Sequence, residues 1–133
     1  PTNTVFVTAR GTVGKLSLAG SPMAMNQSCY ALVGAEGYGQ YFVYHLAQYV
    51  VDRLKHKASG AVFDAIITKD FESETVPNIT PEDSRLFEES VAPIYEAILN
   101  HSNENFRLAN LRDTLLPRLI SGELSIADVN AAK

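Results

Sequence analysis

From Pro81 onward the chain is organised around one apolar stripe. Alternating steps of four and three residues from Phe87 land on Phe87, Val91, Ile94, Ile98, His101, Asn105, Leu108, Arg112, Leu115 and Leu119, and seven of these ten are apolar. That spacing is the seam of an amphipathic helix, and such a seam has to be covered by something. The helix has a start signal: Thr80 as N-cap, Pro81 at the first position, and Glu82 and Asp83 in the first turn. It also has a stop, Ser121-Gly122. Pro93 and Pro117 remove backbone bonds and are expected to bend it. The polar stretch His101–Asn105 leaves two outcomes open, a turn that makes a helical hairpin or polar seam positions within one helix. A continuous helix of ~37 residues would be roughly 55 Å long and would need a partner to cover its seam.

The first 79 residues read differently. Val5–Thr8 is a short β-rich run closed by a glycine-punctuated turn, Arg10–Gly14; Lys15–Ala19 alternates like a half-buried strand; Gln27–Val33 is a third such run. Three- and four-residue spacing of Tyr41, Phe42, Tyr44, His45, Tyr49, Val50 and Leu54 predicts an amphipathic helix to about Lys57, with Gly60 as its stop. Val62–Ile67 is β-leaning, Thr68–Asp70 reads as a polar corner, and Thr75–Ile79 as one more extended piece.

Composition narrows the class. At 133 residues, 46% apolar and 20% charged, the chain is one domain-sized unit of ordinary globular make-up. It holds no apolar run long enough to span a membrane, and the single cysteine, Cys29, cannot form an internal disulfide, so a reducing cytoplasm is expected. A start at Pro1 without methionine, directly before a strand, suggests a fragment. Net charge is −4, which argues against coating nucleic acid by bulk positive charge. The charge is uneven. Residues 1–72 carry six Lys/Arg against five Asp/Glu, and residues 73–133 carry five against ten. The first half is therefore where an anionic partner would dock.

Arg10–Lys15 invites comparison with a nucleotide-binding phosphate loop and fails it. Ala9 and Leu16 stand where that pattern needs Gly and Ser/Thr, and a strand follows where a helix must open. Two readings remain: a plain tight turn, or a turn presenting Arg10, Thr12 and Lys15 to DNA, with glycines admitting the backbone to phosphates. Asn26 and Gln27 carry amides able to pair with an adenine edge or to bond to backbone. Lys69, at the polar corner, is a phosphate contact or simply a solvated lysine. Tyr38, Tyr41, Tyr44 and Tyr49 read as core and rim packing residues, not as base-stacking platforms. Cys29 in an apolar run reads as an inert small hydrophobe, and His45, His56 and His101 lack metal-ligand spacing. No catalytic signature stands out.

Three segments in order resemble the specificity subunit of type I restriction–modification enzymes. They are Ala9–Lys15 with Met23–Cys29, then Ala65–Phe71 with Val76-Pro77, then Leu111–Leu124. The resemblance implies two mixed α/β recognition domains per subunit, held apart by long antiparallel helices that act as a ruler between two DNA half-sites. Those helices also bind two methyltransferase subunits, and a translocase–nuclease subunit joins them. The S-adenosylmethionine and ATP sites lie on those partners, so this chain itself is expected to hold no cofactor, no metal and no catalytic residue. This sequence departs from the pattern in having one recognition domain, without its opening part, and one conserved helical region.

The expected fold class is thus α+β: a small mixed α/β target-recognition globule with antiparallel strands, followed by a long C-terminal helix or helical hairpin. The expected division is a partial recognition domain over 1–79 and a docking region over 80–133. DNA contacts fall to Arg10, Thr12, Lys15, Asn26, Gln27 and Lys69. Subunit contacts fall to Phe87, Val91, Ile94, Ile98, Leu108, Leu111, Leu115 and Leu119, with homodimerisation through the helix as a further possibility. The rival reading is a helical scaffold that docks methyltransferase or self-associates without reading DNA.

Overall fold

A computed structural model describes residues 1–57 and 64–125. Its elements are β1 (Val5–Thr8), β2 (Leu16–Leu18), β3 (Cys29–Leu32), α1 (Gln40–Lys57), α2 (Thr68–Glu72) and α3 (Pro81–Ile120). The class is α+β, with an antiparallel sheet and one long C-terminal helix, as the sequence predicts. The chain divides into two compact units, Pro1–Tyr95 and Glu96–Lys133.

In the first unit β1 is the central strand of a three-stranded sheet ordered β2-β1-β3, antiparallel on both sides. Val5 pairs with Leu18 and Leu32, and Val7 with Leu16 and Tyr30, so these six side chains share one face. That face meets α1. Val5 and Val7 are fully buried, against Ala47, Val50, Val51 and Leu54, with Ile66 closing the cluster. Burying a side chain such as Val51 stabilises the fold by about 1.5–3 kcal/mol.

The β1–β2 connection shows why this turn needs its second glycine. Gly14 has φ +71°, and a Cβ there would lie 2.7 Å from Lys55 Cε and 2.8 Å from Val51 Cγ1. Helix α1 packs directly under the turn, and the Lys55 ammonium donates to Gly14 O at 2.8 Å.

Between α1 and α3 the expectations need revision. Gly60, and the Val62-Phe63 part of the β-leaning run, lie outside the described residues. Of the rest, Ala65 makes a single bridge to Arg10. Thr68–Asp70 belongs to the short helix α2 and is not a corner. A carboxylate three residues in makes that turn possible, because Asp70 Oδ2 accepts from Ile67 N at 2.7 Å. Residues 75–79 join no sheet; their backbone is used instead by Tyr38, whose hydroxyl donates to Ile79 O at 2.8 Å.

α3 starts as expected. Thr80 Oγ1 accepts from Asp83 N at 3.1 Å, and Asp83 Oδ2 accepts from Thr80 N at 3.1 Å. The helix is continuous through Pro93, His101–Asn105 and Pro117, so the hairpin alternative falls away. It ends where Gly122 turns left-handed (φ +75°) and donates to Leu119 O at 3.3 Å.

Candidate nucleic-acid interface

Antiparallel pairing brings the C-terminal end of β1 together with the N-terminal ends of β2 and β3. The three segments that hold the sequence-predicted DNA contacts gather at that end of the sheet. Arg10, Thr12 and Lys15 belong to the β1–β2 turn, which is tied back on itself: Lys15 N donates to Thr8 Oγ1 at 2.9 Å, and Gly14 N to Thr8 O at 2.8 Å. Asn26 and Gln27 lie just before β3, and the next residue, Ser28, accepts from Ala9 N through its carbonyl at 2.7 Å. Arg10 bridges Ala65, and Ile66 N donates to Ala9 O at 2.9 Å, which brings the start of α2 to the same end. Tyr30 Oη lies 3.4 Å from Thr68 Oγ1, and its ring meets Phe71 edge-on. Lys69 follows on α2.

All six predicted residues are exposed, but they are not equivalent. Asn26 Oδ1 accepts from Ser28 N at 2.9 Å, a local turn bond, so its oxygen already serves the backbone. Gln27 carries its whole amide in solvent. The face is mixed in charge, because Asp64 and Asp70 lie in the same stretch as Lys69.

The cations of the first half separate into two groups. Arg53 and Lys57, one turn apart on α1, both hold Glu74, whose side chain is 1% exposed. Hydrogen bonds from Lys57 and then Arg53 keep that carboxyl below the usual carboxylate range. Lys55 serves Gly14 O. Arg10, Lys15 and Lys69 make no ion pair among the described residues. Three charges thus hold the fold, and the three left over stand at one end of the sheet.

The predicted subunit-contact positions also differ among themselves. In the first unit Phe87 is half-buried against Phe42 and His45, and Val91 is half-buried, whereas Ile94 is 61% exposed. In the second unit Ile98, Leu108 and Leu111 are more than half exposed and Leu119 is 37% exposed, while Leu115 is half-buried. Phe106 and Ile120 add to that surface at 68% and 78%.

Sequence reasoning missed a second stripe on α3. Ser84, Glu88, Val91 and Tyr95 follow four–three–four spacing and cross the counted seam at Val91. Ser84 Oγ accepts from Gly39 N at 3.0 Å, and Glu88 accepts from Tyr41 N and Phe42 N at 3.1 and 3.0 Å, so these two residues cap the N-terminus of α1. Tyr95 stacks on Tyr41 with ring centres 4.4 Å apart and shares a 2.7 Å hydrogen bond with His45 Nε2. Burial pushes the Tyr95 phenol up from its ordinary pKa. The spacing was a usable signal, but a serine and a glutamate on an otherwise apolar count hide it.

Among the described residues no group of His, Cys, Asp and Glu could hold a metal ion, and no helix is long and apolar enough to cross a membrane. Cys29 opens β3, half-buried.

No family model matches the chain, and no solved structure does. Curated relatives exist. The chain is 32% identical over 127 residues to the type I restriction enzyme HindI specificity subunit of Haemophilus influenzae, covering 93% of this chain and 28% of that protein. It is 29% identical over 91 residues to the type I restriction enzyme MjaIX specificity subunit of Methanocaldococcus jannaschii, covering 67% of this chain and 21% of that one. A putative type I restriction enzyme MjaX specificity subunit of the same archaeon matches at 20% over 92% of this chain and 29% of its own length. The chain therefore spans under a third of each of these relatives. Over nearly all of its own length, this chain is related to a segment of type I restriction enzyme specificity subunits.

Proposed function

We propose that this chain reads DNA sequence, without catalysis of its own, for a type I restriction–modification complex in the cytoplasm. One observation carries the reading. In a relative of specificity subunits, the cations left over from the fold (Arg10, Lys15 and Lys69) stand with Thr12, Asn26 and Gln27 at one end of a sheet. Cations there neutralise phosphates and set position, while amides address base edges. The exposed apolar stripe of α3 serves as the docking surface for methyltransferase subunits, through which the restriction subunit joins. The S-adenosylmethionine and ATP sites belong to those partners. Pairing of two such chains through α3 would supply two readers for a bipartite site.

The scaffold reading has its own support, because the same stripe on α3 suits docking whether or not DNA is read. A salt titration of duplex binding separates the two. The chain, alone and assembled with its methyltransferase subunit, is titrated by fluorescence anisotropy. Reading requires affinity that falls steeply with salt and a preference for one half-site. Alanine at Arg10, Lys15 or Lys69 should each lower the log–log salt slope by about 0.9, one phosphate contact's share. Absence of binding even in the assembled complex leaves only the scaffold.

A further inference from the structure

The outer face of the sheet, opposite α1, holds an open groove of about 350 Å³. Its walls are Phe6, Thr8, Ser17 and Cys29 from the strands and Met23, Ala24 and Met25 from the loop before β3; Lys15 and Asn26 border it as well. Met23 and Met25 are 52% and 51% exposed. Two half-exposed methionines, one residue apart, are costly to leave facing water and are well suited to moulding around a small apolar group.

Lys15 and Asn26 are both assigned to the DNA face, so the wall they share faces DNA with them. Most of what a duplex presents there suits it badly. A phosphate or a polar base edge pressed against methionine and phenylalanine would lose its water with no partner in return. The major groove offers one apolar feature, the C5-methyl of thymine. Thymine is thus the base this wall can favour.

We infer that Met23 and Met25 are specificity-determining residues that take up a thymine methyl group in the groove between Lys15 and Asn26. The inference rests on the DNA-reading function proposed above. It divides the labour of the face: cations give salt-dependent affinity, and the methionines give base preference that salt does not touch.

The test starts from a random-sequence duplex pool. The chain assembled with its methyltransferase subunit enriches a preferred duplex from it. Each thymine of that duplex is then replaced by deoxyuridine, which removes only the methyl. We expect at least one replacement to weaken binding about fourfold, the effect of one methyl-sized apolar group. That sensitivity should vanish in M23A/M25A with the salt slope unchanged, and should persist in M23L/M25L, which keeps an apolar wall. Overturning results are an enriched duplex indifferent to every thymine methyl, one without thymine, or sensitivity that survives in M23A/M25A. Any of these, seen with salt-dependent, half-site-selective binding intact, removes the methionine assignment alone. Loss of all DNA binding removes the reading function with it.

Discussion

Glu74 shows how little of a residue's surroundings can be read from its neighbours in the chain. Ser73 and Thr75 beside it are exposed, yet its own side chain is 1% exposed, because Arg53 and Lys57 reach across from α1. In sequence these two cations looked available to an anionic partner. Their four-residue spacing is a fork on one helix face, but nothing local says which carboxylate fills it. The pairing has a pH signature. Its folded-state pKa lies below the ordinary 4.5, so ionised Glu74 contributes stability above the unfolded pKa, and this is lost as pH falls through the folded value. Thermal stability should therefore fall below about pH 4.5 in the native chain, and E74Q should be less stable near neutrality and show a shallower acid loss. An unchanged acid limb in E74Q would remove Glu74 from that account. Thr80 and Asp83 are the opposite case. Their reciprocal bonds were legible because a capping box is written within four residues.

At the level of elements, periodicity served where one period ran long enough. β1 and β2 alternate in burial, and α1 carries its buried stripe of Tyr41, Ala47, Val50, Val51 and Leu54. Tyr49 lies at the rim of that face: it is 43% exposed and packs under Arg53, which sits 5.6 Å from its ring centre. The misjudged element is α2, five residues whose helix depends on one Asp70 bond and on Phe71 meeting Tyr30 from another strand. So short a helix has no period to read. α1 depends on α3 for its start, since its first turn has no acidic residue of its own and Glu88 and Ser84 supply the acceptors. E88A should cost about 1–2 kcal/mol in urea unfolding, the range for a lost helix cap. E88Q should cost less, because an amide oxygen still accepts. Equal stability of E88A and the native chain would show that water replaces the carboxylate without loss.

For the molecule as a whole, the exposed apolar residues of the second unit form the proposed docking surface. Ile98, Leu108 and Leu111 lie more than half exposed, a pattern that marks a protein interface more often than a solvated face. L111N/L115N should therefore weaken assembly with the methyltransferase subunit, read by solution mass measurement. Unfolding of the first unit and the salt slope of DNA binding should stay unchanged, since both substitutions lie in the second unit. Unimpaired assembly would place the docking surface elsewhere. The sequence by itself determined the α+β class, the three strands, the start, cap and stop signals of α3, and the relation to specificity subunits, because each is encoded by local pattern or by order along the chain. The tertiary structure alone decided that α3 is one helix and not a hairpin, that half the early cations are taken by the fold, and that two loops and the start of α2 share one end of a sheet. Those outcomes depend on which side chains meet across long loops, and no local periodicity specifies that.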